Sequence, residues 1–425
     1  MRISACLITR DEAGFLADCL RSIQGAVDEI VVVDTGSRDE TVRIAREFGC
    51  VVLHHRWDDD FAAARNVGIA AATGDWILVA DADERLIGGE ALRPLVLEAE
   101  AETGGFLVER EDVVRHPQTG RTERYPIGMV RLFRRHPGIR YVGRVHERPG
   151  DTIRDAGFTV RGTHRPRLTH LVSSRTDEVL AAKQRRYLAL LDAEVAAHPG
   201  DPWPRYYRAK TVWYLGGHTA ADAEFAAIAG DPRHPAPQRA SAHAMRAALA
   251  LRLGRPADAL AHVEGSLAAF AFQSLAHYLR GDALFALARY AEAAEAYARV
   301  RGSLDPHAVT EWIPGDLYLP AETRAYKLGS CLLAMGDGPA ALARFREGMA
   351  ASPDDAACWY GAANVALAAG NPVLAGRLLD EAAARDPGWR TPREMRARLA
   401  AAPGKAGAGE LAGGAPERDD FLALP

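Results

Sequence analysis

The stretch Trp76-Ile77-Leu78-Val79-Ala80-Asp81-Ala82-Asp83-Glu84 decides how this chain reads. Five apolar residues in a row predict a buried strand, and the acids that follow at once, two of them spaced i, i+2, stand at its carboxyl end. A carboxylate pair so spaced can present oxygens to one hard divalent cation, which can in turn neutralise a diphosphate. An isolated D-x-D is common in surface turns. Its place behind a buried strand gives it weight.

Upstream, Ile3 to Ile8, Ile30 to Val33 and Val51 to Leu53 are further short β-branched runs. Between them lie helical patterns. Glu12 to Ile23 puts Phe15, Leu16, Cys19, Leu20 and Ile23 on one face, Ser37-Arg38-Asp39-Glu40 has the form of a capping box opening a helix through Phe48, and a third helix runs from about Asp60 to Ala72. Strand alternating with helix predicts a parallel sheet with right-handed crossovers, whose ligands sit beyond the carboxyl ends of the strands. Thr9 to Glu12, Asp34 to Ser37, His54 to Asp60 and Asp81 to Glu84 all fall there. Acids crowded at one sheet edge repel unless a cation or hydrogen-bond donors satisfy them.

From about Gly104 to His170 the runs Phe106 to Val108, Met129 to Phe133, Ile139 to Val145 and Thr159 to Arg161, separated by Pro and Gly turns, continue the sheet as mixed α+β structure. Past Asp177 the chain becomes an Ala- and Leu-rich helical array. There Pro353 and Pro387, Gly336 and Gly370, and Ala341 and Ala375 each lie 34 residues apart, the tetratricopeptide period. Looser copies run through Gly281, Tyr290, Ala293 and Tyr297, through Gly254 and Ala259, and through Gly217 with Pro232. The expected division is a catalytic domain over 1–175, a solenoid of four or five helix pairs over 178–398, and a disordered tail over 400–425.

Composition bounds the function. The 425 residues carry 52 Lys+Arg against 56 Asp+Glu, a net charge of -4, which argues against a surface committed to nucleic acid. With 48% hydrophobic and 25% charged residues the chain can bury a core. No run of 18 apolar residues lacks a charge, which argues against a membrane-spanning helix, and Met1 to Glu12 reads as a first strand, not a signal. Cys6, Cys19, Cys50, Cys331 and Cys358 are scattered without a CxxC pair, so neither a disulfide framework nor a structural zinc is indicated and a reducing cytoplasm is the expected home. Only Lys183, Lys210, Lys327 and Lys405 are lysines. Between Arg110 and Arg167 there are 14 arginines and 6 acids, a basic stretch suited to an anionic partner: sugar diphosphate, phosphorylated glycan or lipid surface.

The N-terminal part resembles glycosyltransferase family 2, inverting nucleotide-sugar enzymes of the A-type fold. The likeness runs through Cys6 to Glu12, Val31 to Asp39, Ala64-Arg65-Asn66-Val67-Gly68, Ala72 to Trp76 and Asp81-Ala82-Asp83-Glu84, then Arg131-Leu132-Phe133 and Val145-His146-Glu147. With the repeats, the architecture is similar to bacterial members carrying a tetratricopeptide tail, among them peptide S-glycosyltransferases and lipopolysaccharide-core glucosyltransferases. The resemblance implies that Thr9 and Glu12 line the nucleobase pocket, that Asp34 accepts hydrogen bonds from base or ribose, and that Asp60 reads the base edge. It puts Arg65 near base and diphosphate, and Asp81 with Ala82 against the nucleotide. Asp81, Asp83 and the late His170 become the ligand set for Mn2+ or Mg2+. For Asp34 and Asp60 the plainer reading is helix capping, and for His170 a buried structural imidazole.

Inversion needs a group that takes the acceptor's proton while a cation takes the charge growing on the departing diphosphate. The resemblance assigns that base to Glu147, with His146 positioning the acceptor or the Glu147 carboxylate. Val145-His146-Glu147-Arg148-Pro149 is not a zinc-protease motif, because no second His follows at i+4 and Pro149 forbids the helix. No G-x-G-x-x-G follows the first strand and no P-loop occurs, so dinucleotide and P-loop readings fail; the Q-x-x-R-W signature of processive synthases is missing too, so transfer of one sugar is expected, and the resemblance implies a nucleotide-sugar donor, a uridine diphosphate sugar first among them. The competing reading is a tetratricopeptide scaffold with a degenerate, non-catalytic first domain. Expected partners are the nucleotide sugar and a peptide, protein or glycan acceptor. Homodimerisation through the repeats and peripheral membrane contact stay open.

Overall fold

The structure, a computed structural model, describes residues 1–115, 122–170, 177–271, 273–302 and 319–401. They form two compact units, one containing Met1–Val113 and Pro126–Gly217, the other containing Val114–Tyr125 and the chain from His218 on. The expected tail over 400–425 lies, from residue 402 on, outside the described residues, as does Arg121.

The first unit runs β1 (Ile3–Thr9), α1 (Ala13–Ile23), β2 (Glu29–Asp34), α2 (Thr41–Glu47), β3 (Val51–His54), α3 (Phe61–Ala71), β4 (Trp76–Val79), β5 (Glu84–Ile87), α4 (Leu92–Leu97), β6 (Thr103–Arg115), β7 (Thr122–Arg134), α5 (Gly150–Asp155) and β8 (Thr159–His170). Two long helices, α6 (Asp177–Ala197) and α7 (Pro202–Tyr214), complete it. The strands make one eight-stranded mixed sheet ordered β3-β2-β1-β4-β7-β6-β8-β5. Its first four strands are parallel, β7 and β5 run antiparallel to β4 and β8, and β6 pairs parallel with β8.

Strand β4 is apolar throughout because both its faces are covered. Trp76 and Leu78 point into a core with Ile3, Leu7, Leu16 and Leu20, while Ile77 and Val79 point into a second core with Val31, Phe133 and Tyr141. Burial on both sides fixes the register of β4 against β1, Ile3 facing Trp76 and Cys6 facing Val79, and so fixes where Asp81 emerges.

Two expectations are corrected. The run Ser37 to Glu40 is no capping box: α2 begins at Thr41, and no side chain caps it. Ser37 Oγ accepts instead from the Asp11 backbone N–H at 2.9 Å, and Asp39 accepts from the N–H groups of Ala13 and Thr41, each at 3.0 Å, so the loop is sewn to the start of α1. Nor is Ile139 to Val145 a strand. Gly143 (φ 98°) and His146 (φ 54°) turn the chain, Val142 and Arg148 exchange both backbone hydrogen bonds, and Tyr141 is held N–H and C=O by the side chain of Asn66. An asparagine amide thus replaces a neighbouring strand as partner.

The second unit opens with α8 (His218–Gly230) and continues as α9 (Ala236–Arg252) with α10 (Pro256–Ala269), α11 (Ser274–Ala286) with α12 (Tyr290–Ala298), α13 (Ala321–Ala334) with α14 (Gly338–Ala351), α15 (Ala356–Ala368) with α16 (Pro372–Arg385), and α17 (Arg390–Ala401). Gly336 (φ 85°) and Gly370 (φ 71°) take the left-handed turn between paired helices, and Ala341 and Ala375, one repeat apart, are fully buried. The last strand ends at His170, whereas the compact unit reaches Gly217. Leu190 and Leu191 of α6 bury Val145, with Phe61, Tyr187 and Tyr207 packed against them, which binds α6 and α7 into the first unit.

Candidate active site

Three arginines in three elements, α3, β6 and β7, hold the acids at the sheet edge. Arg65, buried on α3, donates through Nη2 to Asp81 Oδ1 at 2.8 Å and through Nε to Glu147 Oε1 at 2.6 Å. Arg131, buried on β7, donates through Nη2 to Asp81 Oδ2 and to Glu84 Oε1, both at 2.7 Å. Arg110 on β6 pairs with Asp112 at 2.8 Å and lies 3.7 Å from Glu84. Burial opposes the charged form of Asp81, but Arg131 and Arg65 overcome it and hold its carboxyl well below the usual range. Burial instead raises fully buried Glu84, against Arg131 and with the help of Asp81.

Glu84 fastens the motif. Its Oε2 accepts from the Asp81 backbone N–H at 2.9 Å while its own N–H donates to the Asp81 carbonyl at 3.0 Å, closing the turn Asp81-Ala82-Asp83-Glu84 around buried Ala82.

At the far end of the sheet His170, last residue of β8, has Nδ1 2.9 Å from Asp112 Oδ1 and Nε2 3.5 Å from Asp83 Oδ2. Burial disfavours the imidazolium, yet the bonds to Asp112 and Asp83 raise His170 to about 9. A carboxylate that orients one ring nitrogen and turns the other toward a second carboxylate is the donor arrangement of histidine-ligated metals. Both Asp81 oxygens are taken by guanidinium groups, so of the expected set Asp83 and His170 are the pair able to serve a cation. Among the described residues no three His, Cys, Asp or Glu side chains form a ready cation cage. A two-donor site completed by phosphate oxygens and water suits a hard ion such as Mg2+.

The nucleotide-side candidates sit at other strand ends. Thr9 closes β1, its carbonyl accepting from Thr35 N–H at 3.0 Å, and its buried Oγ1 has no partner among the described residues. The Glu12 N–H donates to Thr41 Oγ1 at 2.8 Å. Asp34 is buried and accepts from the N–H groups of Gly36 and Ser37 at 3.2 and 3.1 Å, with His54 Nδ1 at 3.4 Å. Asp60 caps α3, accepting from Ala63 N–H at 2.8 Å. The fold therefore joins Arg65, Asp81 and Glu147 directly, joins Asp83 to His170, and leaves Asp34 and Asp60 each with a turn or cap to hold.

Glu147 lies within the loop closed by Val142 and Arg148. The ring of His146 stacks on Tyr207 of α7 at 4.2 Å and meets Tyr187 of α6 edge-on at 5.7 Å. Burial, with Lys210 and Lys183 nearby, lowers it to about 3 and keeps the imidazole neutral.

Sequence reasoning passed over Arg131, Arg110, Asp112 and Glu84 as site residues. A charge inside the apolar run Met129-Val130-Arg131-Leu132-Phe133, and Arg110 and Asp112 on one face of β6, were the available signals. Several arginines of the basic stretch from Arg110 to Arg167 are engaged within the protein: Arg134 on the Thr103 carbonyl, Arg135 on the Gly74 carbonyl, Arg148 on Asp151 and Arg161 on Glu100.

A mixed sheet with acids and arginines gathered at its strand ends, followed by helical hairpins, defines an α/β ligand-binding domain joined to a repeat domain. Residues 4–150 match the model of glycosyl transferase family 2, and residues 244–308 and 332–399 match tetratricopeptide repeat models. The chain is similar to a tetratricopeptide repeat-containing protein of Synechococcus elongatus, 39% identical over 48% of this chain and 50% of that protein. It is also similar to the SPbeta prophage-derived glycosyltransferase SunS of Bacillus subtilis, 26% identical over 47% of this chain and 46% of that one. The chain thus spans about half the length of these curated relatives. Among solved structures it is similar to YrrB, a tetratricopeptide protein, with TM-score 0.35 and 18% identity over 49% of this chain and 97% of that one. No helix among the described residues is long and apolar enough to cross a membrane.

Proposed function

We propose that this chain is a metal-dependent, inverting glycosyltransferase that moves one sugar from a nucleotide diphosphate sugar, a uridine diphosphate sugar first among them, to a peptide or glycan acceptor. The observation that carries the reading is the single guanidinium of Arg65 spanning Asp81, on the nucleotide side, and Glu147, the candidate base. One buried cation holding both acids would keep donor and acceptor ends in fixed relation.

Asp83 and His170 would hold the ion, Mn2+ or Mg2+. When bound it supplies positive charge for the donor's diphosphate. Thr9, Glu12, Asp34 and Asp60 would surround the base and ribose. Arg65 Nη1, buried and without a partner among the described residues, is a donor left for a phosphate oxygen. Glu147 Oε2 would take the proton of an acceptor hydroxyl or thiol as that oxygen or sulfur bonds to the anomeric carbon and the bond from carbon to the diphosphate oxygen breaks. The repeat domain would bind the acceptor or a partner, a second copy of the chain included. The cytoplasm is the proposed compartment, where five free cysteines persist.

Thermal melting of the purified chain with uridine diphosphate and Mn2+ tests the reading. A raised melting temperature that needs both components supports it. An unchanged one favours a non-catalytic scaffold.

A further inference from the structure

Helices α6 and α7 lie beyond the family 2 match, which ends at residue 150, and before the first repeat match, which begins at 244. They nonetheless enclose the loop that carries Glu147. Glu194 of α6 accepts from the Arg144 backbone N–H at 3.0 Å, Tyr187 and Tyr207 hold His146 from two helices, and Arg148 lies 4.2 Å over the ring of Trp203. The helices are fastened to each other by Arg208 and Asp192 at 2.5 Å.

The same two faces carry lysine. Lys183 lies one turn before Tyr187, its Nζ 5.4 Å over that ring, and Lys210 lies one turn after Tyr207. Only four of the 52 basic residues are lysines, and two of the four stand on these adjoining helices, both near enough to the His146 ring to disfavour its charged form. Lysine is a compact point charge able to donate to anionic oxygens from several directions. Lys210 has no hydrogen bond or ion pair to any described side chain. Burial lowers it to about 8, with the charge of Asp112 opposing that fall, so it stays mostly protonated near neutral pH.

We infer that Lys183 and Lys210 form a subsite for anionic phosphoryl oxygens around the His146 ring, one residue from Glu147 in the chain, walled by Tyr187 and Tyr207. The oxygens come from the donor's diphosphate or from a phosphate borne by the acceptor. Placing this subsite next to a reacting centre rests on the glycosyl-transfer reading, whereas the anion site itself does not.

Inorganic pyrophosphate, titrated calorimetrically into the full chain, is the probe. Lys183→Met and Lys210→Met, which keep an apolar stem, should each weaken binding roughly tenfold, and lysine-to-arginine variants should retain it. Mass-spectrometric acetylation of the wild-type chain gives a second readout that needs no variant: pyrophosphate should shield Lys183 and Lys210 while Lys327 and Lys405 label as before. If uridine diphosphate displaces pyrophosphate from the lysines, the oxygens are the donor's. If the two bind together, they are the acceptor's. Unchanged affinity in both methionine variants, or labelling of Lys183 and Lys210 that pyrophosphate leaves unchanged, overturns the subsite. A chain that binds pyrophosphate through these lysines but never binds uridine diphosphate keeps the subsite and loses the glycosyl-transfer reading.

Discussion

Arg65 Nε and Glu147 Oε1 lie 2.6 Å apart in the fold and 82 residues apart in sequence. Arg65 rides on α3, packed beneath the sheet, whereas Glu147 belongs to a turn with two left-handed residues, so the contact forms only when both elements are in place. Because Arg65 is buried, its loss would strand Glu147 and leave Asp81 to Arg131 alone; removing one partner of a buried pair costs about 3–5 kcal/mol. The pairing leaves Glu147 one carboxylate oxygen for chemistry.

Glu147→Gln keeps the size of the side chain and an oxygen for Arg65 but cannot take a proton. Sugar transfer should fall about 10²- to 10⁴-fold while the dissociation constant for uridine diphosphate stays within about twofold. Calorimetric binding beside a transfer assay checks both. A glutamine variant with ordinary turnover would remove Glu147 from the mechanism.

Asp112→Asn should act through His170. Asp112 is fully buried and touches His170 and Arg110. An amide orients the imidazole less firmly, and losses of about 10- to 100-fold in metal affinity are usual for such partners. The Mn2+ concentration giving half-maximal activity should rise accordingly, with maximal rate at saturating metal largely restored.

His146 should make the first unit sensitive to acid. Its folded value of about 3 lies below the ordinary 6.5, so below about 6.5 the unfolded chain binds a proton that the native chain refuses. Stability from this group is complete above about 6.5 and declines as pH falls toward about 3. His146→Phe keeps a ring against Tyr207 and should flatten that part of the melting-temperature profile. An unchanged profile would mean that His146 is protonated in the folded state.

Gly361→Ala should loosen the repeats without touching the site. A Cβ there would meet the Phe345 ring at 2.4 Å, and one on Gly329 would meet the same ring at 2.6 Å, so the ring has little room to give way. Overpacking costs about 1–3 kcal/mol, more than the ~1 kcal/mol that alanine gains over glycine in a helix. Far-UV melting should show the loss, with uridine diphosphate binding intact.

The strands at β1 to β4 and the repeat glycines were legible because one local rule settled each: a charge-free apolar run, or a fixed spacing of 34 residues. Ile139 to Val145 misled because its apolar residues enter the core from an irregular loop, and an apolar pattern does not reveal that Asn66 replaces a strand as partner. The capping box failed for a similar reason, since Ser37 and Asp39 had distant backbone groups of α1 to satisfy. Arg131, though part of a quoted motif, and Asp112 were given no site role because long-range pairing decides whether a charge inside a strand is solvated or part of a network. The share of α6 and α7 in the first unit was hidden by composition, their Ala- and Leu-rich pattern matching the repeats that follow.

Release of uridine diphosphate from a uridine diphosphate sugar by the purified chain, with Mn2+ and with the metal chelated, in wild type and Asp83→Ala, tests the central claim most directly. The account predicts turnover in the wild type that vanishes on chelation and in Asp83→Ala, with both proteins melting at the same temperature. Turnover that survives chelation, or that persists in the variant, would contradict it.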